Sequence, residues 1–397
     1  MSILLGIDRF ASTEGMRLRG DKIGILCHAA SVDQNFQHLT EICRRLELNV
    51  QRCFGPEHGI WADAQDMEAV DEDPRTEPNT GAPISSLYGH TVEDLTPKQS
   101  DLIGLDWLVI DLQDIGTRYY TYIYTAALCA RACAQAGVRV MILDRPNPLG
   151  GLTVEGGLTS RDYLSFVGLW PLPNRHGLTL GEVVLLLNER ESFGAEIEVI
   201  KVQGWSRDQL LYQTGQRWVQ PSPNMPNFNA MALYPGLCLI EGTELSEGRG
   251  TTRPFEWIGA DFIEPFQFAQ ALNQCALNGI HFRPLFFKPT FHKFAHQTIG
   301  GVELHVTNPH TLEPLKVGLY LLHVTRRLYG DALRWRERAY EFVADRLAID
   351  LLFGGPEARM LIDQGGDIEQ LWARWKSESE TFKVTRMPYL LYPEEKK

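Results

Sequence analysis

The sequence lacks any long hydrophobic run, and no stretch approaches the roughly 18 consecutive apolar residues that a membrane-spanning helix requires. The first residues, Met1 to Asp8, also lack the basic region and extended apolar core of a signal peptide, because Asp8 interrupts a short apolar run. We therefore predict a protein with no membrane span that works in the cytoplasm, unless an export signal has been removed from it.

Basic residues are in the minority: 38 Lys and Arg face 50 Asp and Glu, which gives a formal net charge of -12. A surface that binds nucleic acid or an anionic membrane needs clustered Lys and Arg to neutralise phosphates. The charge balance argues against both kinds of partner, although it is compatible with a basic pocket inside a cleft.

Cysteines are few, and their spacing does not suggest pairing. The chain has seven, an odd number, and none of them form a Cys-x2-Cys pair. Reduced thiols in the cytoplasm fit this distribution better than a disulfide framework or a zinc knuckle. The seven are Cys27, Cys43, Cys53, Cys129, Cys133, Cys238 and Cys275.

Motifs of several common enzyme classes are also missing. The chain has no P-loop, no Gly-x-Ser-x-Gly nucleophile elbow and no His-Glu-x-x-His zinc motif. A dinucleotide-binding Gly-x-Gly-x-x-Gly should follow the first strand, where the sequence reads Cys27-His28-Ala29-Ala30. These absences predict a protein without a nucleotide cofactor and argue against serine-hydrolase and zincin chemistry.

What the sequence does contain is an alternation of short apolar runs with helical stretches, typical of βαβ units in a parallel sheet. The predicted strands are residues 23–27, 50–54, 107–112 and 138–143, with helices at 36–46 and 122–136. A capping box from Thr179 to Glu182 begins a further helix, and 197–202 is a further strand. The predicted class is α/β, with a Rossmann-like parallel sheet.

The rest of the chain predicts a second, smaller unit. Residues 220–250 are crowded with Pro, Asn and Gly, and a loop of that length is usually functional or a linker. After it, residues 263–276 and 315–328 have helical patterns, and 301–306 has a strand pattern. We therefore divide the chain into a Rossmann-like catalytic domain at 1–250 and a smaller α+β domain at 251–397.

A short turn after the second predicted strand places a carboxylate next to an imidazole. Its sequence is Gly55-Pro56-Glu57-His58-Gly59. Pro56 restricts the backbone and the glycines permit unusual dihedral angles, so the two polar side chains are held in place. Ligands of an open parallel sheet bind beyond the carboxyl ends of its strands, where such turns gather. Glu57 and His58 are therefore candidate catalytic residues, although a packed structural turn is the alternative.

Loops after the other predicted strands add acids, arginines and tyrosines at the same edge of the sheet. Carboxyl groups can serve as acid, base or nucleophile on a glycosidic bond, tyrosines stack on sugars, and arginine binds carboxylates. The same carboxylates suit a divalent metal if they converge, and aspartates that follow strands often only cap loops. These candidates are Asp111, Asp114, Arg118, Tyr119, Tyr120, Asp144 and Arg145.

A second cluster of charged residues lies between Glu241 and Thr252, where three acids and an arginine stand among glycines. Such a composition is poor material for a hydrophobic core and favours a site. Its candidates are Glu241, Glu247 and Arg249.

Together these segments resemble the NamZ-type exo-β-N-acetylmuramidases, glycoside hydrolase family 171, nearly from end to end. The resemblance rests on motifs at residues 54–59, 86–89, 111–114, 118–122, 143–148, 175–177, 221–226, 246–252 and 254–255. Two of these motifs supply further candidates: Arg175-His176-Gly177 contains His176, and Pro221-Ser222-Pro223-Asn224 contains Asn224.

The resemblance implies a Rossmann-like domain joined to a smaller C-terminal domain, with the active site in the cleft between them. It also implies release of N-acetylmuramic acid from the non-reducing end of peptidoglycan fragments, and it places the family's catalytic glutamate at Glu57.

We hypothesise a glycosidase without cofactor or metal, in which Glu57 is the general acid. Glu241 or Glu247 would assist water or the oxocarbenium ion, and His58 and His176 would position these groups. Arg118 and Arg249 are predicted to bind the lactyl carboxylate of muramic acid, because a planar guanidinium matches it. The predicted substrate-binding set is Asp111, Asp114, Arg118, Tyr119, Tyr120, Asp144, Arg145, His176, Asn224 and Arg249.

Two other functions stay open: a non-catalytic protein that binds muropeptides, and a metal-dependent hydrolase. Substitution of Glu57 separates an enzyme from a binder, and sensitivity to a chelator exposes a metal. The sequence does not decide between a retaining and an inverting mechanism, and it leaves the oligomeric state open.

Overall fold

A computed structural model describes residues 3–65, 67–70 and 76–395. Its first half contains a six-stranded sheet in the order β3-β2-β1-β4-β5-β6, in which every neighbouring pair is parallel. This is the Rossmann strand order, so the predicted fold class is confirmed. The strands are β1 (Lys22–Cys27), β2 (Asn49–Gly55), β3 (Ile84–Ser86), β4 (Trp107–Asp111), β5 (Arg139–Leu143) and β6 (Ile197–Ile200).

The sheet is covered on both faces, as β4 shows. Leu108 and Ile110 belong to one buried cluster, whereas Trp107 and Val109 belong to another. Strands buried on both faces read as continuous apolar runs, which is why the sequence identified these strands. The helices of this half are α1 (Gly6–Ser12), α2 (Leu39–Arg45), α3 (Gln99–Leu102), α4 (Tyr122–Ala136), α5 (Leu180–Arg190) and α6 (Leu211–Thr214).

The second half contains a three-stranded antiparallel sheet in the order β7-β9-β8 and the longest helices of the described chain. This confirms the predicted smaller α+β unit. Its elements are α7 (Phe228–Leu237), β7 (Trp257–Ala260), α8 (Pro265–Asn273), β8 (Ile280–Phe287), β9 (Ile299–Val306), α9 (Pro314–Tyr329), α10 (Ala348–Phe353), α11 (Glu357–Asp363) and α12 (Ile368–Arg386). No helix in the described ranges is both long and apolar enough to cross a membrane.

Two of the predicted segments differ from the structure. The helix predicted at 36–46 begins only at Leu39, because Phe36 has a left-handed φ of 62° and Asp33 accepts backbone hydrogen bonds from Asn35 and Gln37 in a tight turn. The stretch 220–250, predicted to be irregular, contains α7 and a 3-10 helix, Cys238–Gly242. Three strands were not predicted: the short strands β3 and β7, and the strand β8.

Glycine and proline within α7 made this helix hard to predict from the sequence. Packing explains the glycine. A Cβ atom on Gly236 would lie 1.7 Å from the carbonyl oxygen of Pro314, and one on Gly318 would lie 2.2 Å from the carbonyl oxygen of Gly236. The backbones of α7 and α9 therefore touch directly, and only glycine fits at the crossing. This crossing fixes the position of the 3-10 helix that follows α7.

Candidate active site

Glu57 lies on a rigid turn at the carboxyl end of β2. A Cβ on Gly55 would lie 2.8 Å from the amide nitrogen of Ile60, and both His58 and Gly59 have left-handed φ values, 70° and 79°. Left-handed backbone is uncommon outside glycine, and His is one of the residue types that adopt it more often than most. His58 Nδ1 donates to the carbonyl oxygen of Ala64 at 2.9 Å, which fixes its ring.

The side chain of Glu57 is joined to the start of α4. The hydroxyl of Thr121 donates to Glu57 Oε2 at 2.5 Å, and the neighbouring Tyr122 donates to the carbonyl oxygen of Pro221 at 2.7 Å. Glu57 is only 7% exposed. The turn after β2 and the loop after β4 are therefore tied together at one edge of the sheet.

These groups line one cleft. Seven of the residues predicted for the site contribute to its walls: Glu57, His58, Tyr119, Tyr120, Asn224, Glu241 and Arg249. The aromatic rings of Tyr119 and Tyr120 pack edge-on against that of Tyr234, at 6.3 and 6.1 Å between centroids. Among the described residues, the lining thus combines carboxylates, the guanidinium of Arg249 and several aromatic faces.

Glu241 brings a second carboxylate to the cleft from the 3-10 helix after α7. Its Oε1 accepts a 2.8 Å hydrogen bond from Arg249 Nη2, and its Oε2 accepts one of 2.7 Å from the hydroxyl of Tyr340. The guanidinium of Arg249 lies 5.3 Å from the centroid of Phe255, which is cation-π distance. Glu241 and Arg249 therefore form an ion pair that lines the same cleft as Glu57.

Glu247 is fully buried and is not among the residues that line the cleft. Its carboxylate pairs with Lys293 at 2.8 Å, His292 at 3.1 Å and Arg249 at 3.3 Å. Burial alone would raise the pKa of Glu247, but these positive neighbours hold it well below its usual range. The structure therefore places Glu241 at the cleft surface and Glu247 behind Arg249.

Asp111, Arg145 and Asp144 also lie away from the cleft lining. Asp111 and Arg145 form a bidentate pair, with oxygen to nitrogen distances of 2.5 and 2.8 Å, and both are buried. Asp144 accepts hydrogen bonds from Thr179, from the amide of Gly181 and from Tyr392, so it caps the amino end of α5. These side chains hold loops together at the carboxyl edge of the sheet.

Arg118 is completely buried, and it does not line the cleft. Its guanidinium donates to three carbonyl oxygens, those of Gly157 at 2.7 Å, Leu172 at 2.9 Å and Leu352 at 2.6 Å. The last acceptor belongs to α10, so Arg118 joins the loops of the first half to the second half. This position does not match the predicted contact with a lactyl carboxylate.

Asp114 and His176 are buried neighbours, with 3.6 Å between Asp114 Oδ2 and His176 Nε2. Burial raises the pKa of Asp114 to about 7. Burial, followed by nearby arginines, lowers the pKa of His176 to about 3. His176 Nδ1 accepts the amide hydrogen of Leu178, so the neutral ring carries its proton on Nε2, towards Asp114.

The comparison with known proteins agrees with this architecture. The family model for the N-terminal region of exo-β-N-acetylmuramidase NamZ matches residues 23–229, and the model for its C-terminal region matches 232–392. The chain belongs to the NamZ family. The two matches confirm the resemblance to this family and the predicted class of enzyme, a glycoside hydrolase. The junction between the two family models precedes residue 250, where the sequence analysis divides the chain.

Relatives of this NamZ-family chain cover it almost completely. It is 38% identical over 388 residues to peptidoglycan β-N-acetylmuramidase NamZ of Bacillus subtilis (strain 168), covering 98% of this chain and 91% of the relative. Two crystal structures of DUF1343 family proteins from Bacteroides fragilis NCTC 9343 are similar. One has a TM-score of 0.88 at 30% identity, covering 98% of this chain and 99% of the other. The second has a TM-score of 0.76 at 29% identity and full coverage of both chains.

Several residues lining the cleft were not predicted. Thr121 sits beside the predicted tyrosines, but its contact with Glu57 depends on how α4 docks. Tyr340 and Glu341 come from far along the chain, on a turn in which both Glu341 and Phe342 have left-handed φ, 46° and 67°. Such turns usually contain Asn and Gly, and because neither residue is present here, this turn has no local sequence signal.

Glu341 is the third carboxylate of the cleft, and its Oε2 accepts a 3.1 Å hydrogen bond from Tyr88. With this residue included, the described part of the chain still has no cluster of three or more His, Cys, Asp or Glu side chains suited to a metal ion. In the cleft of this NamZ-family chain, the carboxyl groups of Glu57, Glu241 and Glu341 instead accept hydrogen bonds from hydroxyl groups and, at Glu241, from an arginine.

Proposed function

We propose that this protein releases N-acetylmuramic acid from the non-reducing end of peptidoglycan fragments, with Glu57 as the general acid. The observation that carries the proposal is that Glu57 and Glu241 line one cleft although they come from the two separate family regions. Most glycosidases use a pair of carboxyl groups that flank the glycosidic bond.

In this mechanism Glu57 protonates the glycosidic oxygen as the bond to the leaving sugar breaks. Its hydrogen bond from Thr121 and its rigid turn hold the carboxyl group in one orientation, which reduces the reorganisation needed in the transition state. A positioned general acid typically contributes about 10² to 10⁴ in rate.

Glu241 is the proposed partner that activates water or stabilises the oxocarbenium ion. Its ion pair with Arg249 and its hydrogen bond from Tyr340 favour the ionised carboxylate that either role requires. Glu341 offers a further carboxyl group in the same cleft. The anomer first released, measured by NMR, would distinguish retention from inversion.

Arg249 is the proposed contact for the lactyl carboxylate, because it is the one of the two predicted arginines that lines the cleft. The tyrosine faces around it, with Tyr234 and Phe255, suit the apolar face of a pyranose ring. Asn224, held by a 3.2 Å hydrogen bond to Gln65, is placed to bind a sugar hydroxyl or acetamido group. We keep the remaining predicted residues as supports of the cleft rather than as contacts.

The site of action is proposed to be the cytoplasm. All seven cysteines are free thiols in the structure, and six of them are buried. Thiols persist in a reducing compartment. Cell fractionation with an antibody against the protein would test this, and enrichment outside the cytoplasm would contradict it.

The activity is tested by measuring free N-acetylmuramic acid released from the disaccharide N-acetylmuramyl-N-acetylglucosamine. Wild-type protein should release it, and Glu57→Gln should not. Glu93→Gln, an exposed glutamate outside the cleft, is the matched control and should match wild type. Calorimetric binding without turnover in the wild type would instead support a muropeptide-binding protein.

A further inference from the structure

Lys293 is a buried lysine in the loop between β8 and β9, and only 9% of it is exposed. Its ammonium group donates to the carbonyl oxygens of Ile240 at 3.3 Å and Leu245 at 2.9 Å, and to Glu247 Oε2 at 2.8 Å. An ammonium group has three donors, so these three acceptors use its full capacity. All three acceptors lie in the short segment that carries Glu241 and leads to Arg249.

The contact with Glu247 reaches the cleft through Arg249. Glu247 Oε1 lies 3.3 Å from Arg249 Nε, while the other end of that guanidinium, Nη2, donates to Glu241 at 2.8 Å. The guanidinium is thus held by a hydrogen bond to Glu241 at one end and by an ion-pair contact with Glu247 at the other, which limits its rotation. The chain of contacts therefore runs from Lys293 to Glu247 to Arg249 to Glu241.

The loop between β8 and β9 also hydrogen-bonds to the backbone next to Arg249. Thr290 donates to the carbonyl oxygen of Gly250 from both its amide, at 2.8 Å, and its hydroxyl, at 2.9 Å. A Cβ on Gly250 would lie 2.5 Å from the carbonyl oxygen of Phe291, and Gly250 has a φ of 77°. The loop thus fits closely over the residue that follows Arg249.

We propose that Lys293 is a positioning residue that fixes Glu241 and Arg249 together, through the carbonyl of Ile240 and the carboxylate of Glu247. This inference rests on the proposed function, in which Glu241 and Arg249 act on the substrate. In this account Glu247 does not touch the reacting atoms; it orients Arg249. Both charged groups on this side of the cleft are then set in place before the substrate arrives, which is how preorganisation lowers a barrier.

The first test replaces the ammonium group by an uncharged chain of similar length. Lys293→Met should lower kcat by about 10- to 100-fold on N-acetylmuramyl-N-acetylglucosamine, because a misplacement of about 1 Å costs such factors. Lys288→Met removes an exposed lysine from the same loop and should leave kcat and KM unchanged. Thermal melting of each variant shows whether it is folded at the assay temperature.

The second test separates positioning from general stability by a double-mutant cycle. If Lys293 acts partly through Arg249, then the loss of activity in Lys293→Met combined with Arg249→Met should be clearly smaller than the two single losses combined, and what remains of the Lys293→Met effect reflects its contact with the segment that carries Glu241. Additive losses would overturn the proposal, as would a folded Lys293→Met with wild-type kcat and KM. If Lys293→Met does not fold, Glu247→Gln, which keeps the shape of the side chain, takes its place in the same cycle with the same expected outcome.

A third readout does not depend on turnover. Calorimetric affinity for N-acetylmuramic acid should fall in Lys293→Met but not in Lys288→Met. If the wild type binds this sugar but does not turn over the disaccharide, the proposed function fails while the binding comparison still decides the role of Lys293. If wild type is active, Glu57→Gln is inactive and Lys293→Met equals wild type in rate and affinity, the function stands and this inference fails.

Discussion

Thr121 donates a 2.5 Å hydrogen bond to Glu57 Oε2 and thereby connects the first residue before α4 to the turn after β2. Neither residue lies in a flexible region, since Glu57 follows a strand and Thr121 precedes a helix of 15 residues. The orientation of the proposed general acid is therefore set by two regular elements of the parallel sheet domain.

Removal of that hydroxyl should weaken catalysis without removing the acid. Thr121→Val keeps the side-chain shape but leaves Glu57 Oε2 without this donor. Glu57 becomes a carboxylate as it gives its proton to the leaving group, and a hydrogen bond to such a charged group is worth roughly 1.5 to 3 kcal/mol. We expect kcat to fall by about 10- to 100-fold. Thr121→Ser retains the hydroxyl and should keep most of the activity. Equal losses in both variants would show that packing, not the hydrogen bond, matters.

The two arginines predicted to bind the lactyl group should behave differently. Arg118→Met removes the guanidinium that donates to the buried carbonyl oxygens of Gly157 and Leu172, whereas Leu352 keeps a 3.4 Å hydrogen bond from Asn174. An unsatisfied buried group costs about 1 to 3 kcal/mol. The expected result is a Tm lower by several degrees, with little change in KM at a temperature where the variant is folded. Arg249→Met should instead raise KM or lower kcat. A large change in KM with an unchanged Tm for Arg118→Met would instead indicate that Arg118 contacts the substrate.

The buried Asp114 should make the protein less stable as the pH rises. The pKa of its carboxyl is raised by burial to about 7 in the folded state, against 3.8 ordinarily. The folded state therefore binds more protons between these values, and the stability that Asp114 contributes is lost as the pH rises from about 4 to about 7. Asp114→Asn should remove this loss, worth about 2 to 3 kcal/mol between pH 5 and pH 8.

Denaturant unfolding of wild type and Asp114→Asn at both pH values provides the measurement. Other buried acids contribute equally to both proteins, so only the difference between the two pH dependences is informative. Identical pH dependences would contradict the assignment of Asp114 as a titrating buried acid.

Much of the fold followed from the sequence, because strands buried on both faces give continuous apolar runs and α4 ends at a glycine with a φ of 70°. Glu57 and His58 could be predicted as site residues because the Gly and Pro residues that define their turn are their immediate neighbours in the sequence. Arg118 and Asp111 were not, because their burial and their partners at 352 and 145 depend on how distant loops meet. Likewise, the residues next to Glu341 have no sequence pattern that predicts a turn lining the cleft.

Chelation should leave activity unchanged. The carboxylates of the cleft are bonded to Thr121, Arg249, Tyr340 and Tyr88, which are groups that a resident cation would have to displace. Dialysis against EDTA followed by assay in metal-free buffer should therefore retain the full rate. Loss of turnover that returns on addition of Zn²⁺ or Mg²⁺, but not Na⁺, would indicate a metal-dependent hydrolase.

The role of Glu57 as general acid is tested most directly by changing how much protonation the leaving group needs. The rates of wild type and Glu57→Gln are compared on N-acetylmuramyl-N-acetylglucosamine and on the 2,4-dinitrophenyl glycoside of N-acetylmuramic acid, whose leaving group departs as a stable anion. The account predicts a loss of about 10² to 10⁴ on the disaccharide and a much smaller loss on the aryl glycoside. Equal losses on both substrates, or no loss on the disaccharide, would contradict it.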